Sequence, residues 1–341
     1  MLKLNTNTFL TNLMPYVAYD AEMEMYLNAD ETVGFAWKCQ PLVGLDTALN
    51  ESLNRLSYFK IPDGSVLQFM LYADPDYSLI VSVKFDVDKE ITVQGAISVR
   101  DMLSNELKKI RLNPQPQTPQ DFIDFTRKIF TGNDEQKPYN DEKPIKKQCI
   151  PKETKIELNW NELKFNERVL NCLSLRLIPE GVKIASAQEL IGSFFEFSQT
   201  PEKYSASCLY ALNIIVDRKA VKPVSEISKR IKKFAPEFAL PEKTEKPINL
   251  TVLPAFWLFS QSNSEAISNL KDLKRAMERC GFEAHEEKEI LTPLFVASMP
   301  FGVYTAQNSF KSMNRGFAVA WGEAVKFLPL QVTKRGELNE V

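Results

Sequence analysis

Along residues 78–87, Leu79, Val81, Val83, Phe85 and Val87 fall on one side and Ser82, Lys84 and Asp86 on the other. A period of two belongs to extended chain, whose successive side chains point to opposite faces; a helix would scatter these residues around its circumference. The fold must therefore be built on a sheet. The same period places Val33, Phe35, Trp37 and Cys39 together in 31–40, ended by Pro41, and Leu173, Leu175 and Leu177 together in 168–178. Two further stretches, SVLQFMLY (65–72) and ASCLYALNIIV (206–216), are nearly continuous apolar runs, as strands buried on both faces are. NLTVLPAFWLF (249–259) has strand character too, but Pro254 has no N–H to give a neighbour and predicts an edge or a bulge. Residues 291–298 also read as strand-like.

Helices are predicted between these strands. Leu49, Ser52, Leu53 and Leu56 share a face in 47–58, with Asp46 as cap. Ser98 and Asp101 resemble a capping box ahead of Met102, Leu103, Leu107 and Ile110. Thr118 and Pro119 open a helix with Phe122, Phe125 and Ile129 inward, and Ser186 with Glu189 would box another. In 264–280 the stripe is Ile267, Leu270, Leu273, Met277 and Cys280, with Ser262 and Glu265 at the start and Gly281 as the stop. A helical region closes the chain before Pro329.

This order predicts an α+β fold with mixed or antiparallel sheets and split β-α-β (ferredoxin-like) halves packed by amphipathic helices. The polar stretch 131–153, with three prolines, reads as a connection. The predicted organisation is a first α+β subdomain at 1–135, a linker at 136–153, a second α+β subdomain at 154–330 and a tail at 331–341. No internal sequence repeat accompanies it.

Forty-two basic against 44 acidic residues leave a net charge of -2, so no global field draws the chain to nucleic acid or anionic lipid. Cys39, Cys149, Cys172, Cys208 and Cys280 are odd in number and irregular in spacing, which fits neither a disulfide framework nor a zinc knuckle and points to a reducing compartment. Met1 to Leu13 carries Asn and Thr where an export signal needs an apolar core, and no window holds 18 apolar residues in a row. The expectation is a chain neither exported nor membrane-spanning.

Chemistry is mostly excluded. No Gly-Lys pair occurs, so a phosphate loop is absent from the sequence, and the single histidine, His285, rules out sites needing two imidazoles. A Cys280–His285 nucleophile would make the chain a free-standing enzyme; the plainer assignment is a packed thiol and a surface imidazole. Asp74/Asp76 and Glu286/Glu287/Glu289 are expected on solvated loops and strand faces. In VSEISKRIKKFA (224–235), Ile227, Ile231 and Phe234 form an apolar stripe beside Lys229, Arg230, Lys232 and Lys233. That pattern suits a membrane or partner surface, an ordinary surface helix, or, over 222–233, a binder of single-stranded DNA. Phe194, Phe195 and Phe197 are assigned to the core. No catalytic, cofactor-binding or metal-ligating residue is predicted.

LMPYVAYDAEMEMYLNADETVGFAWKCQPLVG, residues 13–44, resembles the opening of the TraC-like ATPases of F-type conjugation, relatives of the motor ATPases of type IV secretion. The matching positions are Leu13, Pro15, Tyr16, Tyr19, Asp20, Gly34, Phe35, Pro41, Leu42 and Gly44. The likeness continues through TPQDFIDFTRKIFTGN, RCGFEAHEEKEI, LTPLFVASMPFG and GFAVAWGEAVKFLPLQ. Regions near 73–95 and 218–247 look shorter than in the family. In the family the segment like KFLPLQ leads into a RecA-like ATPase domain, so Val341 stands at or just before the place where that domain would start. The resemblance implies a docking and assembly module without catalysis of its own, at the cytoplasmic side of the inner membrane. Its partners would be inner-membrane subunits of the secretion channel and further copies of itself, as hexamers in the full-length family. Nucleic acid is not an expected partner, and ATP with magnesium belongs to the missing domain alone.

Overall fold

The computed structural model describes residues 6–43, 61–74, 76–86, 92–134, 136–159, 162–179, 181–200, 203–204, 206–216, 249–304, 313 and 315–332. The helix expected at 47–58 and the basic segment lie outside them.

The first part of the chain contributes helix α1 (Thr6–Leu13), then strands β1 (Tyr16–Asp20), β2 (Met25–Asn28), β3 (Thr32–Cys39), β4 (Leu42–Val43), β5 (Val66–Asp74) and β6 (Asp76–Asp86). Helix α2 (Val93–Lys109), strand β7 (Gln115–Pro116) and helix α3 (Pro119–Thr131) follow. A short helix α4 (Lys146–Cys149) leads to β8 (Ile156–Asn159), β9 (Glu162–Phe165) and β10 (Arg168–Leu175). Then come α5 (Ile184–Gln199), β11 (Ala206–Val216), β12 (Asn249–Ser260), α6 (Asn263–Arg279), β13 (Ala284–Glu286) and α7 (Leu291–Ser298). The last described elements are β14 (Phe317–Ala320), α8 (Trp321–Ala324), a 3-10 turn at Val325–Phe327 and β15 (Gln331–Val332).

Among the described residues, thirteen strands form one antiparallel sheet with the path β1-β2-β3-β6-β5-β11-β12-β10-β9-β8. Its middle is the β5–β11 pair, in register from Cys208 opposite Ala73 to Ile215 opposite Val66. Outward from it the two sides repeat each other. On one side β6 and then β3 follow, and the far edge of β3 is shared by β2 and β7. On the other, β12 and then β10 follow, and the far edge of β10 is shared by β9 and β13.

Both faces of the sheet are covered, which fixes the meaning of the alternation in β6. Leu79, Val81, Val83 and Phe85 enter one core with Leu103 of α2, Phe194 of α5 and Leu273 of α6. Ile80 enters a second core with Phe122 of α3 and Phe295 of α7. Ser82 and Lys84 point that second way and are buried as well. Phe194, Phe195 and Phe197 are core residues, as expected.

Several local expectations are corrected. Residues 291–298 are helix α7, not a strand: Leu291 and every residue from Leu294 to Ser298 are buried, so no periodicity marks the element. Helix α2 starts six residues before its expected box, because Thr92 accepts from Gly95 N; Ser98 instead donates back to Gln94 O. Helix α5 begins without a side-chain cap, so Ser186 and Glu189 form no box. In α6 the inward row is Ala266, Asn269, Leu273, Ala276 and Met277, which leaves Ile267 72% exposed. Leu177 lies beyond the end of β10 and is exposed. Strand β12 is interior and unbulged; Pro254 falls in the gap between β14, which pairs 249–252, and β10, which pairs 255–260, where its missing N–H costs no bond. Thr118 and Asp121 form the full capping box, with Pro119 in the first turn, and Gly132 ends α3 at φ 75°.

Segment 136–153 is packed against the sheet. Ile145 and Cys149 are fully buried, Ile145 N donates to Val17 O, and the Gln148 amide donates to Asn140 O and Lys143 O.

Candidate functional site

Lys229, Arg230, Lys232 and Lys233, the residues singled out as a membrane or partner surface, are outside the described residues. The thiols are within them. Cys39 and Cys149 are pushed up to about 12 by burial, and Cys172 and Cys208 are raised by the same cause. Cys280 is raised by partial burial and then by the Glu189 carboxylate, while a hydrogen bond from Ser193 and the charge of Arg279 oppose the shift. It thus faces α5, and the groups acting on it do not include His285. None of these surroundings makes a thiolate, the form a nucleophile needs.

The polar groups that converge inside the molecule do so across the sheet. Ser82, Gln68 and Asn213 stand directly opposite one another on β6, β5 and β11. Gln68 Nε2 donates to Asn213 Oδ1 (2.9 Å) and to the carbonyls of Ala297 (3.1 Å) and Met299 (3.2 Å). Asn213 Nδ2 donates to Ala297 O (2.9 Å). These carbonyls end α7, where a helix leaves its acceptors unsatisfied, so two amides from the middle strands cap it. The sequence carried a signal here: each residue is a lone amide inside an apolar strand run, and a buried amide must find partners.

Beyond α7 the chain crosses to the first half. Phe301, at φ 59°, lies against Gly34 of β3, where an added Cβ would come within 2.5 Å of its ring. Its ring also meets Tyr26 (5.4 Å) and stacks parallel to Phe122 (6.1 Å). Helix α3 makes the reverse crossing. Phe130 packs on Phe165 of β9 (4.8 Å), and Arg168 Nη2 of β10 donates to Ile129 O (2.6 Å) at the end of α3. Each half thus sends its last helix to the other. Nearby, Lys84 and Asp30 form an almost wholly buried ion pair at 2.7 Å, with Thr32 donating to the second Asp30 oxygen and the Tyr304 ring 5.2 Å from the ammonium.

The acidic clusters separate. Asp74 accepts from Tyr72 OH, and Glu286 is held below the ordinary range: burial raises it, but Lys274 and Lys288 outweigh that. Glu287, expected in solvent, is buried and receives Ser174 Oγ and Arg315 Nε. Its burial follows from β13 lying on β10, so that Glu287 N donates to Cys172 O. A cleft of about 410 Å³ lies beside α3, lined in part by Lys38, Asp121, Asp124 and Lys128. Asp121 and Asp124 are engaged there by Thr118 and Gln120. Among the described residues no group of three or more His, Cys, Asp or Glu is arranged to hold a metal, and no helix is long and apolar enough to cross a membrane.

The 326–332 stretch is clamped to both halves. Gln188 of α5 donates to Lys326 O and Leu328 O, Tyr210 of β11 to Phe327 O, and Leu42 N to Leu330 O. Strand β15 then pairs in parallel with β4. Comparison with protein families gives a match to a family model described as TraC protein, over residues 10–79 and 76–235. No curated protein matches the chain.

Proposed function

The chain belongs to the TraC family of F-type type IV secretion proteins, which work in conjugation, and from that premise we propose that it is the family's docking and assembly module, non-catalytic by itself. In this reading it fixes a motor to the inner-membrane subunits of the secretion channel and brings further copies alongside, at the cytoplasmic face of the membrane. Its two ferredoxin-like halves, 1–135 and 154–330, act as one bracket. The strand orders β7-β3-β6-β5 and β13-β10-β12-β11 support that description of the halves. ATP and magnesium would be handled outside this chain.

One observation carries the reading: buried polar groups at the middle of the sheet and at the ends of α3 and α7 are spent on holding the halves together. Gln68 and Asn213 cap α7, Arg168 meets the end of α3, and the 326–330 stretch is tied to α5, β11 and the residue that opens β4. A site for turnover leaves reactive groups facing a cleft, whereas a bracket consumes them internally. The basic segment remains the proposed membrane or partner contact. The test is ATP turnover by the purified 341-residue chain with magnesium; no hydrolysis above buffer is expected, and sustained turnover overturns the reading.

A further inference from the structure

The strongest unexplained cluster surrounds His285. Its Nε2 lies 3.1 Å from Arg315 Nη2 and 3.8 Å from Glu287 Oε2. The Glu287 carboxylate is unevenly served. Oε1 receives both Ser174 Oγ and Arg315 Nε, while Oε2 is buried and has no hydrogen-bond partner among the described residues. The imidazole therefore stands between a guanidinium and an under-used carboxylate oxygen.

We propose that His285 is a pH-operated latch, holding the Arg315 segment on β13 while neutral and weakening that hold when protonated by turning toward Glu287.

The chemistry rests on one ring nitrogen. Arginine only donates, so the 3.1 Å contact requires a lone pair on Nε2, which exists when the ring is neutral with its proton on Nδ1. A proton on Nε2 removes that acceptor and sets two cations against each other. The nearby acceptor is then Glu287 Oε2, where a charge-assisted bond forms once the separation closes to about 2.8 Å. Side-chain exposure of 42% lets solvent protons reach the ring, and the backbone pairing of His285 with Ser174 holds its Cα still while the ring turns.

Among the described residues, the other charged and titratable side chains around the ring are engaged elsewhere. From β10 come Ser174, the Cys172 thiol, which burial keeps protonated, and, just beyond the strand, Arg176, paired with Glu283. From α6 comes Lys274, on Glu286, whose other oxygen takes Lys288. Arg315 stands two residues before β14, so a loosened Arg315 frays the four-residue pairing of β14 with β12.

The test uses the full chain carrying no added histidine, in which one imidazole signal reports the titration by NMR. Amide exchange of residues 316–320 is then followed on both sides of that midpoint, after correction for intrinsic rates. The expected result is a roughly tenfold loss of protection on the acid side, absent in His285→Gln. Unchanged wild-type protection across the measured midpoint overturns the proposal without any variant. So does an equal loss in His285→Gln, or in His285→Asn if that variant does not fold.

Discussion

The two halves of the sheet are built to one plan and secured by different means. In 16–131 the chain makes β1, β2 and β3, then β5 and β6, then α2, β7 and α3; in 156–298 it makes β8, β9 and β10, then α5, β11 and β12, then α6, β13 and α7. The closing helices show the difference. Helix α3 carries its own instructions, with a capping box at its start and a left-handed glycine at its end. Helix α7 has no side-chain cap at its start, and its final carbonyls are satisfied from strands over 80 residues away in sequence. One helix is locally specified, the other is held by the fold. The lesson is that topology can repeat where sequence does not, because pairing order depends on which faces are buried and not on which residues bury them.

The comparison can be broken at the crossing of α7. Phe301→Ala should cost about 4 kcal/mol, since a fully packed ring is lost from the aromatic group it shares with Tyr26 and Phe122. Urea unfolding followed by Trp37 in one half and Trp257 in the other should still show one transition, displaced equally. Two separated transitions would mean independent halves. Gly302→Ala should cost about 3 kcal/mol, because the new Cβ would fall 1.6 Å from Val296 O and displace the end of α7. Gly322→Ala, with nothing within 4 Å, is its control.

Smaller effects separate the two modes of capping. Asn213→Leu should lose about 2 kcal/mol, with amide exchange rising at the end of α7; combined with Gln68→Leu, the loss should be less than the sum, because both serve Ala297 O. Thr118→Ala should cost about 1 kcal/mol and act on α3 alone. Least of all, alkylation at neutral pH should proceed no faster at Cys280 than at a free model thiol, and rapid labelling would revive a catalytic thiol.

What the sequence made legible follows the same division. Elements whose signals are local were readable: the alternation of β6, the apolar run of β11, Thr118 with Pro119, and Gly281, which ends α6 at φ 84°. Elements defined by partners were not. Helix α7 is buried around most of its circumference and shows no period, and Pro254 looked like an edge until β10 and β14 were seen to leave a gap beside it. The site was the least readable part. Gln68 and Asn213 are lone amides in apolar strands, but no role follows from that alone, because their shared target, the end of a segment expected as a strand, was hidden. Glu287 was hidden by its acidic neighbours, which suggested solvent.

The most direct test of the bracket is co-expression of the 341-residue chain with the inner-membrane subunits of a conjugative channel, followed by detergent extraction and size-exclusion chromatography. The account predicts co-elution in a defined complex without added nucleotide. A chain that elutes alone from every such combination contradicts it.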